Sequence, residues 1–171
     1  ALGAGIPAAR GAPPQPLQAL GFLLGDWEGA GAGQPGAGGG VCSFAPGLQD
    51  QLLVRTSYAE YPATPQRPAS RHDDLMVIYA ADSTHVRADY WDSEGHVIRY
   101  AVTASGGREA VFLSDAVAGA PRYRLTYTLS ADSTIAGRFE VAPPGQPAAF
   151  TPYLAWTLRR LAPAAGAADA H

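Results

Sequence analysis

Hydrophobic and polar side chains alternate with a period of two along most of the chain after Asp26. Such alternation indicates β-strands that bury one face and expose the other. The clearest segment places one set of side chains towards a core and the intervening set outwards. The first set is Tyr123, Leu125, Tyr127 and Leu129, and the second is Arg122, Arg124, Thr126 and Thr128.

Segments of this kind recur about ten times, and short turns separate them. We predict strands beginning at Asp26 and lying at 41–44, 52–58, 75–79, 86–91, 97–102, 110–113, 122–129, 135–141 and 154–160. Short strands at this spacing predict an all-β, antiparallel up-and-down β-barrel of about ten strands, with a β-sandwich as the alternative. The barrel is favoured because closure removes exposed sheet edges.

Two segments within this pattern carry more specific expectations. The run from Gly29 to Gly40 lacks the Lys and Ser/Thr of a phosphate-binding loop, so we expect a flexible hairpin loop. The strand Leu75–Tyr79 is apolar on both faces, which predicts that both faces are covered.

The two ends of the chain differ from the middle. Residues 1–15 form an arm rich in Ala, Gly and Pro, and residues 162–171 form an Ala-rich tail; both are expected to be extended. The barrel domain therefore spans residues 16–161. Pro16 to Leu24 reads as one or two helical turns that cap one barrel end.

Length and charge exclude several classes of function. The 171 residues fit one domain, and a net charge of −3 without a basic stripe disfavours nucleic-acid binding. Cys42 is the sole cysteine, so no internal disulfide forms, and a small buried residue is favoured over a reactive thiol.

The chain starts at Ala1 with an Ala/Gly/Pro-rich arm, which favours an exported protein, periplasmic or extracellular, whose signal peptide has been removed.

The segment Gly25-Asp26-Trp27 resembles the Gly-x-Trp signature that opens strand one in the calycin superfamily of lipocalins and fatty-acid-binding proteins. In lipocalins an Arg from the end of the barrel packs on that Trp, and the resemblance assigns this place to Arg159 or Arg160. The run Leu23–Gly29 also looks like the opening of nitrobindin-like barrels and of uncharacterised secreted bacterial barrel proteins. Two further runs, 71–79 and 90–98, resemble that secreted group.

Nitrobindin-like proteins bind haem through a His near the C-terminal strand. The corresponding strand here, Tyr153–Leu158, has no His. Haem is therefore not carried over from the resemblance, and no cofactor is expected.

An aromatic and apolar set on the strands either fills the barrel or lines a cavity inside it. A barrel of ten strands is wide enough to leave room for a ligand. The candidate lining residues are Trp27, Tyr58, Tyr79, Tyr90, Tyr100, Phe112, Tyr123, Leu125, Tyr127, Phe139 and Trp156.

Polar residues give weaker signals. Only His72 and Asp74 of the run 72–74 can share a strand face, and a solvent-facing cluster is favoured over a metal site. His85 and His96 lie towards opposite ends of one hairpin, so they cannot share a metal. The carboxylates Asp89, Asp92 and Glu94 are expected to be solvated at a hairpin tip. We therefore assign no metal ligands and no catalytic residues.

Three functions remain open. The first is a non-enzymatic accessory subunit whose arms dock on a protein partner in a larger extracytoplasmic complex, with membrane attachment of that complex left open. The second is a carrier or binder of a small apolar ligand inside the barrel. The third is an enzyme that uses His72, Asp73 and Asp74, or His96, for which no site geometry is visible. The sequence favours the first, with the second as the alternative.

Overall fold

The computed structural model describes residues 12–33 and 38–162, which form one closed barrel of ten antiparallel strands. The predicted up-and-down barrel is confirmed, and the sandwich alternative is wrong. The strands are β1 (Gly25–Gly33), β2 (Gly38–Gly47), β3 (Leu52–Tyr61), β4 (Ser70–Ala80), β5 (Val86–Asp92), β6 (Val97–Ser105), β7 (Glu109–Ser114), β8 (Arg122–Leu129), β9 (Ile135–Ala142) and β10 (Thr151–Arg160).

Each strand pairs with its neighbours in the sequence, and the first strand closes the barrel against the last. The register between β1 and β10 runs from Trp27 opposite Arg160 to Gly33 opposite Leu154. Closure leaves no unpaired edge in this sheet. Among the described residues, no helix has the length and apolar character that a membrane span requires.

One end of the barrel is closed by the segment before β1. Helix α1 (Gln15–Gln18) and a 3-10 turn (Gly21–Leu23) bury Leu17, Leu20 and Leu23 against the strands. Pro16 stands in the first turn of α1, where its missing N–H costs no hydrogen bond. The core at this end includes Trp27, Phe44, Leu53, Met76, Ile78, Val86, Ala88, Val102, Ala110, Phe112, Ile135 and Leu158.

The glycine-rich run differs from its prediction. Most of Gly29–Gly40 belongs to β1 and β2 rather than to a loop. A Cβ on Gly40 would lie 1.9 Å from the carbonyl oxygen of Tyr58, so β2 and β3 approach each other there as only glycine permits.

Strand β4 also differs from its prediction. It begins at Ser70, because residues 70–74 pair with β3 all the way to Tyr61. Leu75 is 39% exposed, so the outer face of this strand is not covered. The barrel wall is a single sheet, and its outer face meets solvent wherever no loop crosses it.

The predicted domain limits of 16 and 161 lie close to the ordered elements, since α1 begins at Gln15 and β10 ends at Arg160. Most of the predicted arms, residues 1–11 and 163–171, lies outside the described residues.

Candidate ligand-binding site

A cavity of about 580 Å³ occupies the half of the barrel away from Trp27. Its outer rim includes Glu94 and His96, whose side chains are each 60% exposed, and Tyr153, which is 49% exposed. Its inner end is bordered by buried residues such as Cys42 and Leu158. The cavity is therefore accessible to solvent at one end and closed at the other.

Aromatic rings form the floor of the cavity. Tyr127 meets Phe44 and Phe112 edge to face, with ring centroids 5.6 and 6.0 Å apart, and Phe112 meets Tyr100 in the same way at 6.2 Å. Edge-to-face contacts of this kind pack tightly and are each worth about 1 kcal/mol beyond area burial. They separate the cavity from the filled core below.

One side wall is also aromatic. Tyr123 stacks on Phe139 at 5.6 Å, and Tyr153 meets Phe139 edge to face at 6.2 Å. The indole of Trp156 lies across Gly137, where an added Cβ would come within 2.2 Å of the ring. The glycine on β9 thus leaves the space that the indole from β10 occupies.

A buried ion pair stands where the floor meets the opposite wall. Arg55 on β3 pairs with Asp74 on β4, and its Nη1 donates to the Tyr127 hydroxyl at 2.7 Å. Although burial disfavours the charged guanidinium, the neighbouring Tyr127 oxygen and the Asp74 carboxylate raise the pKa of Arg55 above its ordinary value. The Nε–H of Arg55 is buried and finds no hydrogen-bond partner among the described residues.

Near the rim, five polar side chains form what we call the mouth cluster: His72, Tyr90, Asp92, Glu94 and His96. The two ring nitrogens of His72 lie 3.2 Å from Glu94 Oε1 and 3.1 Å from the Tyr90 hydroxyl. That hydroxyl donates to Asp92 Oδ2 at 3.3 Å, and His96 Nδ1 lies 2.8 Å from the same oxygen. The cluster is therefore one connected network.

The turn between β5 and β6 positions half of this cluster. Oδ1 of Asp92 accepts hydrogen bonds from the backbone N–H groups of Glu94 at 3.0 Å and His96 at 2.9 Å. Gly95 takes a φ of 89°, as the turn requires. Burial would raise the pKa of Asp92, but the donors from His96 and Glu94 lower it below its usual range.

Carboxylates outnumber cationic groups on this wall. Asp74, Asp92 and Glu94 face the single guanidinium of Arg55, an excess of two negative formal charges before the histidines are counted. A wall of this charge attracts cations and hydrogen-bond donors more than anions.

Comparison with known proteins assigns no family to the chain. No family model matches it, and no curated protein matches it. Among solved structures it is similar to a de novo designed fluorescence-activating β-barrel, with 10% identity, a TM-score of 0.40 and coverage of 84% of this chain and 97% of the other. It is also similar to the structure of EF1p2_mFAP2b bound to DFHBI, with 13% identity, a TM-score of 0.33 and coverage of 86% and 100%. At these TM-scores the likenesses say nothing about what this chain binds.

The structure brings most of the predicted cavity residues together. Those that line the cavity are Tyr90, Tyr100, Tyr123, Leu125, Tyr127, Phe139 and Trp156. Trp27 and Phe112 do not, because Trp27 lies in the filled core and Phe112 packs behind Tyr100 and Tyr127, whose rings line the cavity. Tyr79 faces outwards and reaches Asp89 at 3.4 Å. Tyr58 borders the cavity, but its ring lies under the exposed guanidinium of Arg71, at 3.9 Å.

Of the two arginines assigned to Trp27, Arg160 lies over the indole, with Cζ 4.2 Å from a ring centroid. Arg159 pairs with Glu28 in the register and points to the other side of β10. Alternation along the strand allows only one of two successive residues to reach the barrel end.

The prediction that the carboxylates of this cavity wall are solvated was wrong for two of them. Asp74 and Asp92 are not solvated, because the side chains of both lie inside the barrel mouth with only 6% and 4% of their area exposed. Arg55 was not recognised as a site residue at all. A single charged residue within the run Leu53–Tyr58 was the available signal, since a charge on an inward strand position needs a buried partner.

Proposed function

We propose that the protein is a non-enzymatic binder of one small, largely apolar molecule, held inside the barrel. The cavity of about 580 Å³ carries this proposal. Its volume lies in the range of sites for drug-sized molecules, roughly 300–1,000 Å³, and its lining combines many aromatic rings with a few convergent polar groups.

The polar side of the cavity determines which chemical groups of the ligand can lie against it. The carboxylates of Asp74, Asp92 and Glu94 outnumber the guanidinium of Arg55, so this wall favours a hydrogen-bond donor on the ligand, such as a hydroxyl or an amide N–H. The aromatic side formed by Tyr123, Phe139 and Trp156 suits a flat ring or an apolar chain.

The calycin resemblance supports the same proposal. The Gly25-x-Trp27 opening and the position of Arg160 over Trp27 match the arrangement that the resemblance implies, and calycins are carriers of small apolar molecules. An exported location, periplasmic or extracellular, belongs to the proposal as well. The accessory-subunit role stays a prediction, because the arms expected to dock on a partner lie mostly outside the described residues.

Binding of the apolar dye Nile red tests the proposal. Ser57 on β3 borders the cavity, whereas its neighbour Thr56 is exposed on the outer face. Ser57→Trp should fill the cavity and remove most of the fluorescence increase on mixing, because the dye then loses most of its site. Thr56→Trp adds the same ring outside and should leave dye binding intact.

Equal dye binding by both variants would refute a site inside the barrel. Native mass spectrometry of the protein from its own source then addresses the natural ligand. A retained mass of a few hundred daltons supports the binder, whereas a retained protein chain supports the accessory-subunit role.

A further inference from the structure

We propose that His72, Asp92 and Glu94 form a binding site for a divalent transition-metal ion, with Zn²⁺ as its best-matched representative, at the mouth of the barrel cavity. The site is distinct from the apolar part of the cavity. The proposed metal site therefore does not depend on the organic ligand proposed above.

The three donors converge from separate parts of the fold. His72 lies on β4, Asp92 ends β5 and Glu94 lies in the turn that follows, and one donor atom from each lies within 4.8 Å of the others. His72 Nδ1 and Glu94 Oε1 are 3.2 Å apart. Two ligands of a tetrahedral zinc ion, each at 2.0–2.1 Å, are separated by roughly 3.3 Å, so this pair already stands at the required spacing.

The other nitrogen of His72 has the partners that a metal-bound imidazole needs. Nε2 lies 3.1 Å from the Tyr90 hydroxyl and 3.7 Å from Asp74 Oδ2. Asp74 is itself held by Arg55. With Nδ1 on a metal, Nε2–H donates to the Tyr90 hydroxyl, and this bond orients the ring. Asp74 lies beyond hydrogen-bond distance of Nε2 and contributes its negative charge.

Charge and donor type select the ion. The wall holds three carboxylates against one guanidinium, so a bound dication offsets the excess of two negative charges. One imidazole nitrogen with two carboxylate oxygens suits zinc and its neighbours in the first transition row. Mg²⁺ and Ca²⁺ prefer oxygen donors alone.

His96 is the competitor of the metal rather than a fourth ligand. Its Nδ1 lies 2.8 Å from Asp92 Oδ2, the oxygen that also accepts from Tyr90. Asp92 Oδ1 is already occupied by two backbone N–H groups. Coordination at Oδ2 therefore displaces the exposed His96 ring, and removing that ring should leave metal affinity unchanged or higher.

The test is titration of the full chain, after treatment with a chelator and dialysis, with Zn²⁺ in a calorimeter and with Co²⁺ in an absorption spectrometer. We expect one ion per chain and cobalt bands that show coordination by nitrogen and oxygen. His72→Ala and Glu94→Gln should each weaken binding roughly tenfold or more. His96→Ala should not weaken it.

A matched control lies at the far end of the same hairpin. His85 Nδ1 is 2.8 Å from Asp82 Oδ2 on an exposed turn, and this histidine–carboxylate pair has no third converging donor among residues 12–33 and 38–162. His85→Ala should leave zinc affinity unchanged. Circular dichroism of every variant in the presence of chelator confirms that the barrel is folded.

Three results would overturn the site: no saturable zinc binding, binding that survives His72→Ala and Glu94→Gln in folded protein, or Ca²⁺ binding as tight as that of Zn²⁺. Nile red binding measured in chelator reports separately on the organic cavity. Failure of one proposal is therefore distinguishable from failure of the other.

Discussion

The guanidinium of Arg160 lies over the indole of Trp27, and its Nη1 donates to the carbonyl oxygen of Leu24 at 2.9 Å. Arg160, the last residue of β10, thereby covers the Trp27 indole and holds the turn that leads into β1. Trp27 is fully buried, and its Nε1 donates to the carbonyl oxygen of Leu23 at 2.8 Å. These contacts hold the first and last strands of the sheet together at the closed end of the barrel.

Arg160→Gln should lower the free energy of unfolding by about 1 kcal/mol, through loss of the cation–π contact and the bond to Leu24. Arg159→Gln is the matched control, because Arg159 is exposed on the other side of the strand. Urea unfolding followed by Trp fluorescence measures both. Equal losses in the two variants would show that the contact with Trp27 contributes nothing specific.

Removing both partners of the pair Arg55–Asp74 should cost less than the sum of the losses from removing each one alone. Arg55→Met leaves Asp74 buried without its cation, and we expect a loss of about 3 kcal/mol in the free energy of unfolding. The double variant with Asp74→Asn should lose clearly less than the sum of the two single losses. Urea unfolding of the four proteins measures the coupling, and strictly additive losses would contradict it.

Cys42 should resist alkylation in the folded protein. Burial raises the pKa of its thiol to about 11, and nearby Arg55 offsets this only in part. At pH 8 about one thiol in a thousand is then ionised, against about one in four at the ordinary pKa of ~8.5. Iodoacetamide should therefore label the folded chain at least about a hundredfold more slowly than the chain in urea, as followed by mass spectrometry. Similar rates would indicate that the barrel opens at Cys42.

Acid should remove the stabilisation that comes from Glu140. Two guanidinium donors of Arg124, at 2.7 and 3.0 Å, lower the pKa of this carboxyl against the opposing effect of burial. A lowered folded-state pKa contributes stability that is present above the unfolded value of ~4.3 and is lost as pH falls through the folded value. Glu140→Gln should therefore be less stable than the wild type at pH 7, by about 1–2 kcal/mol.

The difference should shrink steadily below about pH 4, since protonated Glu140 resembles Gln. Arg124→Gln offers the reciprocal check: the same pH dependence should weaken without those donors, and Arg138, whose Nε lies 3.3 Å from Glu140 Oε2, retains the remainder. Thermal unfolding between pH 7 and pH 2.5 gives both comparisons. A gap that stays constant with pH would contradict this account of the pair.

The parts of the barrel that could be predicted are those that depend on residues close together in the sequence. The alternation of Tyr123, Leu125 and Tyr127 depends on the two-residue period of a strand, and the structure places all three on the cavity side. The turn at 92–95 follows from its Asp and Gly, whose preferences act over four residues. Pairing between segments distant in sequence was not predictable in the same way. The fourth strand was predicted to begin at Leu75, yet β4 begins at Ser70, because residues 70–74 pair with β3.

The sequence by itself determined the strands, their antiparallel order and the aromatic character of one barrel face, because these properties arise from residues close together in the chain. Only the tertiary structure decided that Arg55 meets both Asp74 and Tyr127, and that His72 meets Glu94. These partners are 19 to 72 residues apart, and barrel closure brings them together. The register and stagger of the ten strands decide which inward-facing residues lie at the same height in the barrel. That height depends on all ten strands together, so no local sequence pattern encodes it.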